Sequence, residues 1–225
     1  VKGQTVISCE DFYDEDMKVI DIPISPILSP QQNAAKYFKD YKRSCAAVQS
    51  LGALIEKDIQ EIEYLESVSE SLARCKTLSD ISEIREELSL GGYVKQIAKK
   101  QPRKKPQPQL TEYTSQEGYR IIVGKNNLQN DYITCSLAGK NDMWFHTKNI
   151  HGSHVVVLCD GQKLSDETIT FAAQLAAKNS KAANSSNVPV DYTPIKYVKK
   201  PSGAKAGMVI YTTNKTIFVT PGDNL

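Results

Sequence analysis

SPQQNAAKYFKDYKRSCAAVQSLGALIEKDIQEIEYLESVSESLA, residues 29–73, is the stretch on which the fold turns. Ser29 is placed to cap a helix, Pro30 falls in its first turn, and no further proline occurs until Pro102. Phe38, Tyr41, Cys45, Val48, Ile55, Ile59 and Ile62 recur at spacings of three and four, with Gly52 in the skipped position and Leu51 beside it. That is a coiled-coil seam. A helix from Pro30 to Ala73 spans roughly 65 Å at the α-helical rise, longer than a globular domain needs, so its seam is expected to meet another helix or a second copy of the chain.

Working outward from this helix, Thr5 to Ser8 and Val19 to Ile24 are β-like runs split by the acidic turn EDFYDED and ended by Pro23, Pro26 and Pro30. Two strands do not stand alone, so residues 1–28 are expected to be the tail of a preceding domain. On the other side, a break at Thr77 to Asp80 leads into SDISEIREEL, with Ser79 as the cap and Ile81, Ile84 and Leu88 on one face of a short helix that stops at Gly91-Gly92. Residues 29–94 thus form the helical region. Residues 95–112, opening with KQIAKKQPRKKPQPQ, have the composition of a basic, exposed linker. Beyond it, residues 113–225 predict one mixed domain with strands at Tyr119 to Val123, Tyr132 to Ser136, His154 to Cys159, Ile195 to Val198, Gly207 to Tyr211 and Thr216 to Val219. One strong helix, DETITFAAQLAAKNSKAA, has Asp166 near its cap.

The 225 residues are 40% hydrophobic and 24% charged, an ordinary globular balance. No run of eighteen apolar residues occurs and the first residues are unlike a secretory signal, so no membrane insertion is expected. The five cysteines are odd in number, scattered and never in CxxC spacing, which argues against a disulfide framework and a zinc knuckle and favours the cytoplasm. With no initiator methionine, the chain is expected to be a piece of something longer. Residues 1–100 hold 13 Lys+Arg against 17 Asp+Glu, and residues 101–225 hold 15 against 9. The two halves therefore carry −4 and +6, and the basic one is suited to a polyanion.

Chemistry concentrates in DMWFHTKNIHGSHVV, residues 142–156, which looks like a turn running into an apolar strand. His146, His151 and His154 with Asp142 resemble a metal cluster, but alternation along a strand scatters them and no regular ligand spacing appears. Ser153 and His154 are sequence neighbours that do not face each other, and no G-x-S-x-G elbow surrounds them. A nucleic-acid surface fits better. Trp144, Phe145 and His146 offer flat rings, Lys148 a cation, and Gly152 a backbone that a phosphate could approach. Lys125, Asn126, Asn127 and Asn130 would add donors, and Lys199, Lys200 and Lys205 would add cations among Pro201, Gly203 and Gly207. The alternative for Trp144 and Phe145 is a place in the core.

GKNNLQNDYIT, DMWFHTKNIHGSHVV and VDYTPIKYVKKPSGAKAGMVIY resemble, in order and spacing, the RNA-binding domain of the NFACT family. LSPQQNAAKYFKDYKR, EIEYLES and ISEIREELSLGGYV resemble its coiled-coil and middle segments. The fold so implied is α+β: a long helical coiled-coil arm, then a mixed α/β domain with a mainly antiparallel sheet. Residues 1–28 would close an NFACT N-terminal domain. The resemblance implies a ribosome quality control factor that binds the large ribosomal subunit and tRNA, and supports alanine tailing of stalled chains without catalysing bond chemistry itself. It implies no cofactor and no metal. The residues carried over by motif are Asn126, Asn130 and Asp131; Asp142, Trp144, His146, Gly152, Ser153 and His154; and Tyr192, Lys199, Lys200, Gly203 and Gly207. The family commonly has proline where this chain has His151, so this loop is expected to be less rigid. Some members are described as surface adhesins for fibronectin or fibrinogen, which would require display at the cell surface by a non-classical route.

Overall fold

The computed structural model describes residues 3–95 and 109–222. Most of the basic linker, residues 96–108, lies outside the described residues. The chain forms two compact units that meet in sequence between Gln60 and Glu61.

In the first unit, β1 (Val6–Glu10) and β2 (Val19–Pro23) pair as an antiparallel hairpin, from Val6 opposite Pro23 to Glu10 opposite Val19. Helix α1 (Pro30–Ala73) begins where the sequence places it. Ser29 accepts the Gln32 N–H at 3.2 Å while the Gln32 side chain accepts the Ser29 N–H at 2.8 Å, a reciprocal cap that satisfies two helix-end donors. Asn33 ties the helix start to its approach by accepting the Ser25 N–H at 2.9 Å and donating to the Ser25 carbonyl at 3.1 Å. The seam residues are exposed: Phe38, Val48, Ile55 and Ile59 all stand open to solvent.

The second unit starts with the last turns of α1. There Tyr64 and Val68 pack on Ile84 of α2 (Leu78–Leu90), and Tyr64 stacks on Tyr93 at 5.8 Å. The cap of α2 is Thr77 rather than Ser79: Thr77 and Asp80 complete a capping box, two residues earlier than the sequence suggests. The strands that follow are β3 (Thr111–Thr114), β4 (Arg120–Val123), β5 (Met143–Thr147), β6 (Val155–Leu158), β7 (Val188–Pro194) and β10 (Lys215–Val219). They form one sheet in the order β10-β7-β5-β6-β4-β3, with every pairing antiparallel. Between β4 and β5 lie α3 (Asn127–Tyr132) and a π-helical turn, Ile133–Leu137. Helix α4 (Asp166–Lys178) links β6 to β7, and the small ribbon β8 (Val198–Lys199) and β9 (Ile210–Tyr211) precedes β10.

Alternation along the strands divides the core in two. Ile121, Val123, Phe145, Val155, Val157, Val188 and Val190 point to α4, whose Ala172, Ala173, Leu175, Ala176 and Ala177 are fully buried against them. Ile122, Trp144 and Val156 point the other way, to Ile133 and Ile195. Each such aliphatic side chain removed from water contributes roughly 1.5–3 kcal/mol, so the sheet is the stable frame of this unit.

Several expectations are corrected. Tyr132 to Ser136 is helical, because Asn126 caps a helix that runs on through the buried Ile133 and Thr134. Ile195 to Val198 is mainly a 3-10 turn, and the strand in Gly207 to Tyr211 is confined to its last two residues. The supposed turn at Met143 to Thr147 is a central strand. Helix α4 is capped by Ser165, which accepts the Thr168 N–H, and it stops at Asn179, before the SKAA of the expected run.

Candidate nucleic-acid interface

The three motifs converge on the sheet face opposite α4, but most of their side chains are occupied within the protein. Asn126 accepts the Gln129 N–H at 2.9 Å and donates to Glu83 at 2.7 Å, and Gln129 donates to the same carboxylate at 2.7 Å. Asn127 donates to Ser67 at 2.8 Å and to Glu87 at 3.0 Å. Asn130 accepts the His154 N–H at 3.0 Å and donates to the Gly152 carbonyl at 3.4 Å. Asp131 accepts from Lys200 at 2.6 Å and from the Gly207 N–H at 3.3 Å. The asparagines, read from sequence as donors for RNA, are buried: Asn126 and Asn127 tie α3 to α2 and to the last turns of α1, while Asn130 holds the Gly152–His154 backbone. A buried amide without its partner would cost about 1–3 kcal/mol, which explains why each has one.

The second motif divides in the same manner. Asp142 is buried and accepts three backbone N–H groups, those of Gly139 at 2.8 Å and of Cys159 and Asp160 at 2.9 Å each, so it shapes a turn rather than facing a ligand. Ser153 is buried and accepts from Arg74 at 3.1 Å; the same guanidinium also donates to the Asn179 carbonyl. Gly152 is explained by the close passage of the chain just after α4: a Cβ there would lie 2.7 Å from that of Ser180 and 2.9 Å from the Thr147 hydroxyl. The backbone therefore meets protein where sequence suggested a phosphate. Phe145 is core, stacked on Tyr192 at 5.4 Å on the α4 side, which takes Tyr192 away from the motif face.

Trp144 is fully buried, which corrects its reading as an exposed stacking platform. Its ring is stacked with His146 at 5.7 Å, meets the edge of His154 at 5.1 Å and lies 4.9 Å from Tyr211. The indole N–H has no hydrogen-bond partner among the described residues. His154 Nδ1 lies 2.8 Å from the Thr134 hydroxyl. Burial pushes His146 down to about 4 and holds His154 well below the ordinary histidine value, the nearby His146 adding to the effect, so both rings are neutral at neutral pH. Their centroids are 5.3 Å apart, yet among the described residues no group of three or more His, Cys, Asp or Glu converges to hold a metal ion.

These rings border a cavity of about 600 Å³. Glu63, Tyr64 and Glu66 of α1 contribute to it, with Asn127 and Asn130 of α3, the 149–152 loop, and Met208 and Tyr211 beyond β8. His151 Nε2 is 3.3 Å from Glu66. Tyr211 donates to the buried Asp191 at 2.9 Å, and its hydroxyl is pushed up to about 12, chiefly by burial and then by that carboxylate.

The lysines are less available than the sequence suggested. Lys205 is bound to Glu61 and Tyr93, with its ammonium 4.3 Å from the Tyr64 ring centre. Lys200 is held by Asp131 and Lys125 by Asp80 at 3.7 Å, while Lys148 stands 4.0 Å from Asp191. Lys199 is exposed on β8. The structure thus revises which cations are open. Sequence reasoning did not find Arg74, Glu83, Asp191 or Tyr211, whose partners in these interactions lie 20 to 105 residues away and leave no mark in local spacing.

The comparisons with known proteins agree with this architecture. Residues 1–107 match the family model of NFACT N-terminal and middle domains, and residues 109–213 match that of the NFACT protein RNA binding domain. The chain is 44% identical over 222 residues to the "Rqc2 homolog RqcH" of Bacillus subtilis (strain 168), covering 98% of this chain and 38% of that protein. It is 43% identical to the protein of the same name in Streptococcus suis (strain 05ZYH33), covering 98% and 39% respectively. It therefore spans about two fifths of the length of these relatives. The solved structure of the C-terminal of the fibronectin/fibrinogen-binding protein from Streptococcus suis superposes with a TM-score of 0.80 at 44% identity, over 88% of this chain and 78% of that one. On matches that together take in nearly every residue, the chain belongs to the NFACT family.

Proposed function

We propose that this chain is the RNA-contacting part of a ribosome quality control factor, acting by binding alone. In this reading it engages the large ribosomal subunit that still holds a stalled peptidyl-tRNA, and helps to recruit the tRNA that supports alanine tailing. The cytoplasm is its place of work. The observation that carries the proposal is 44% identity over 98% of the chain to a protein named Rqc2 homolog RqcH, joined to the match of residues 109–213 to an RNA binding domain. The exposed α1 seam supports pairing with a further helix or with a second copy of the chain, which sedimentation equilibrium of the chain alone would distinguish.

The test is co-sedimentation of the chain with purified large subunits, with and without tRNA, for the natural sequence and for Lys199→Ala combined with Lys200→Ala. The double variant is expected to bind more weakly and with a smaller salt dependence, the slope falling by about 1 for each phosphate that is no longer neutralised. Unchanged affinity and slope would count against the reading. The adhesin alternative is supported by what the Streptococcus suis protein is called. It predicts saturable binding of the chain to immobilised fibronectin at physiological salt, and no response there ends it.

A further inference from the structure

The two ends of the six-stranded sheet differ in charge. At one end the last turns of α1 and α2 pack against the 125–130 segment and the 149–154 loop, and they bring Glu61, Glu63, Glu66, Asp80 and Glu83 with them. These carboxylates hold Lys125 and Lys205 and would repel a phosphate. The other end is where β5 starts and β7 finishes, with Met143 opposite Pro194. Strand β5 has five residues, so the two ends lie about 16 Å apart, roughly twice the distance over which physiological salt screens a charge.

The far end is built around Asp142. Its carboxylate accepts the N–H groups of Gly139, Cys159 and Asp160, and its carbonyl accepts the Ile195 N–H at 2.9 Å. Beside it the Lys140 carbonyl accepts the Lys196 N–H at 3.0 Å, which sets two exposed lysines on adjoining loops. The Lys196 ammonium stands 5.1 Å from the centre of the Tyr197 ring, a contact that orients it without neutralising it. Lys199 follows on β8 and is also exposed. Among the described residues, none of these three lysines has a carboxylate partner, in contrast to Lys125, Lys200 and Lys205. Asp142 is buried, which leaves Asp160 as the exposed carboxylate of these loops.

Resting on the RNA-binding reading, we propose that the RNA phosphate backbone crosses this far end of the sheet, held by Lys140, Lys196 and Lys199, and does not enter the motif face. Asp142 is then a positioning residue: it fixes the loops on which two of the cations stand. Lysine ammonium groups bind phosphate oxygens as point charges and do not read bases, so this surface supplies affinity and register, not sequence preference. An acidic protein segment would meet the same charges, and the match of residues 109–213 to an RNA binding domain is what favours RNA.

Labelled single-stranded RNA oligomers are titrated into the whole chain at several salt concentrations, with label anisotropy as the readout. Lys140→Ala with Lys196→Ala should weaken binding roughly tenfold at low salt and lower the salt slope by about 0.7 for each lysine removed, with an unchanged urea midpoint. Lys181→Ala is the control, because Lys181 is equally exposed but joins the His151 carbonyl at the α1 end, and it should have little effect. Asp160→Asn removes the neighbouring negative charge at a left-handed position that asparagine tolerates, and it should tighten binding. Unchanged affinity in the double variant, an equal loss from Lys181→Ala, or no gain from Asp160→Asn overturns this surface and leaves the RNA reading standing. Displacement of the oligomer by a polyglutamate peptide of matched charge as readily as by unlabelled RNA assigns the surface to acidic protein and overturns the proposal. No binding of any oligomer to the natural chain removes both the surface and the RNA reading.

Discussion

The Asn126 to Asp131 segment and the Trp144 cavity lie on the same face of the same domain, and they differ in how fully their polar groups are paired. In the first, side chains of polar residue after polar residue have identified partners: Glu83, Glu87, Ser67, Lys200 and the His154 backbone. In the second, an indole N–H is buried without an acceptor and two histidines are held neutral by burial. A run of polar residues thus marks a joint, whereas the cavity is bordered by an aromatic strand with one group unpaired. Buried polar groups are ordinarily satisfied, so the two exceptions among the described residues, the Trp144 indole N–H and one oxygen of Glu87 in the joint, carry more information than the abundance.

The sharpest way to break this contrast is Glu83→Ala. It removes the acceptor shared by Asn126 and Gln129 and should destabilise the second unit by about 3 kcal/mol, read as a lower urea midpoint, with oligomer affinity of the folded fraction unchanged. A fall in affinity at full folding would place the joint in the interface. Next in size is the effect of pH. His146 has a folded value near 4 against 6.5 ordinarily, so the unfolded chain binds the extra proton first, and stability declines as pH falls from about 6.5 to about 4, by up to about 3 kcal/mol. His146→Asn should flatten that slope across the same window in urea titrations, and a slope of unchanged steepness would remove His146 as its source.

Smaller effects sharpen the same comparison. Lys200→Ala removes a partly exposed ion pair with Asp131 and should cost no more than about 1 kcal/mol in thermal or urea unfolding. Glu87→Gln is smaller still. Burial raises this carboxyl, one of its oxygens is unpartnered, and an amide carbonyl can still accept from Asn127. Because the neutral form is favoured in the folded state, stability at neutral pH should be unchanged or slightly higher, within about 0.5 kcal/mol, and the natural chain alone should gain as pH falls toward the carboxyl's raised value.

Much of the architecture is legible locally. The span of α1 follows from Ser29, Pro30 and a seam that repeats every three or four residues, all within the helix's own sequence. Tyr132 to Ser136 reads as strand and folds as helix because aromatic and β-branched residues favour strands only until a cap upstream commits the backbone, and Asn126 supplies that cap. Strand β5 is hidden for a different reason: MWFHT lies at the centre of the sheet, and Trp144 and Phe145 are buried on opposite faces, which removes the alternation that marks a half-buried strand. The motif residues can be found from sequence, but their roles cannot, since the hydrogen bonds of Asn126 with Glu83 and of Ser153 with Arg74 bridge 43 and 79 residues.

Gly152 has a practical bearing on how this protein can be altered. Its backbone bridges to Ser180, and any side chain there would collide with that residue, so the register of His154 is pinned immediately after it. Just before it, Asn149 adopts a left-handed conformation in an outward bend whose base is closed by the Thr147 hydroxyl donating to the Ile150 carbonyl. A dye or short graft attached at Lys148 or Asn149 should therefore leave the following strand in place, while any enlargement one step beyond His151 would unseat it.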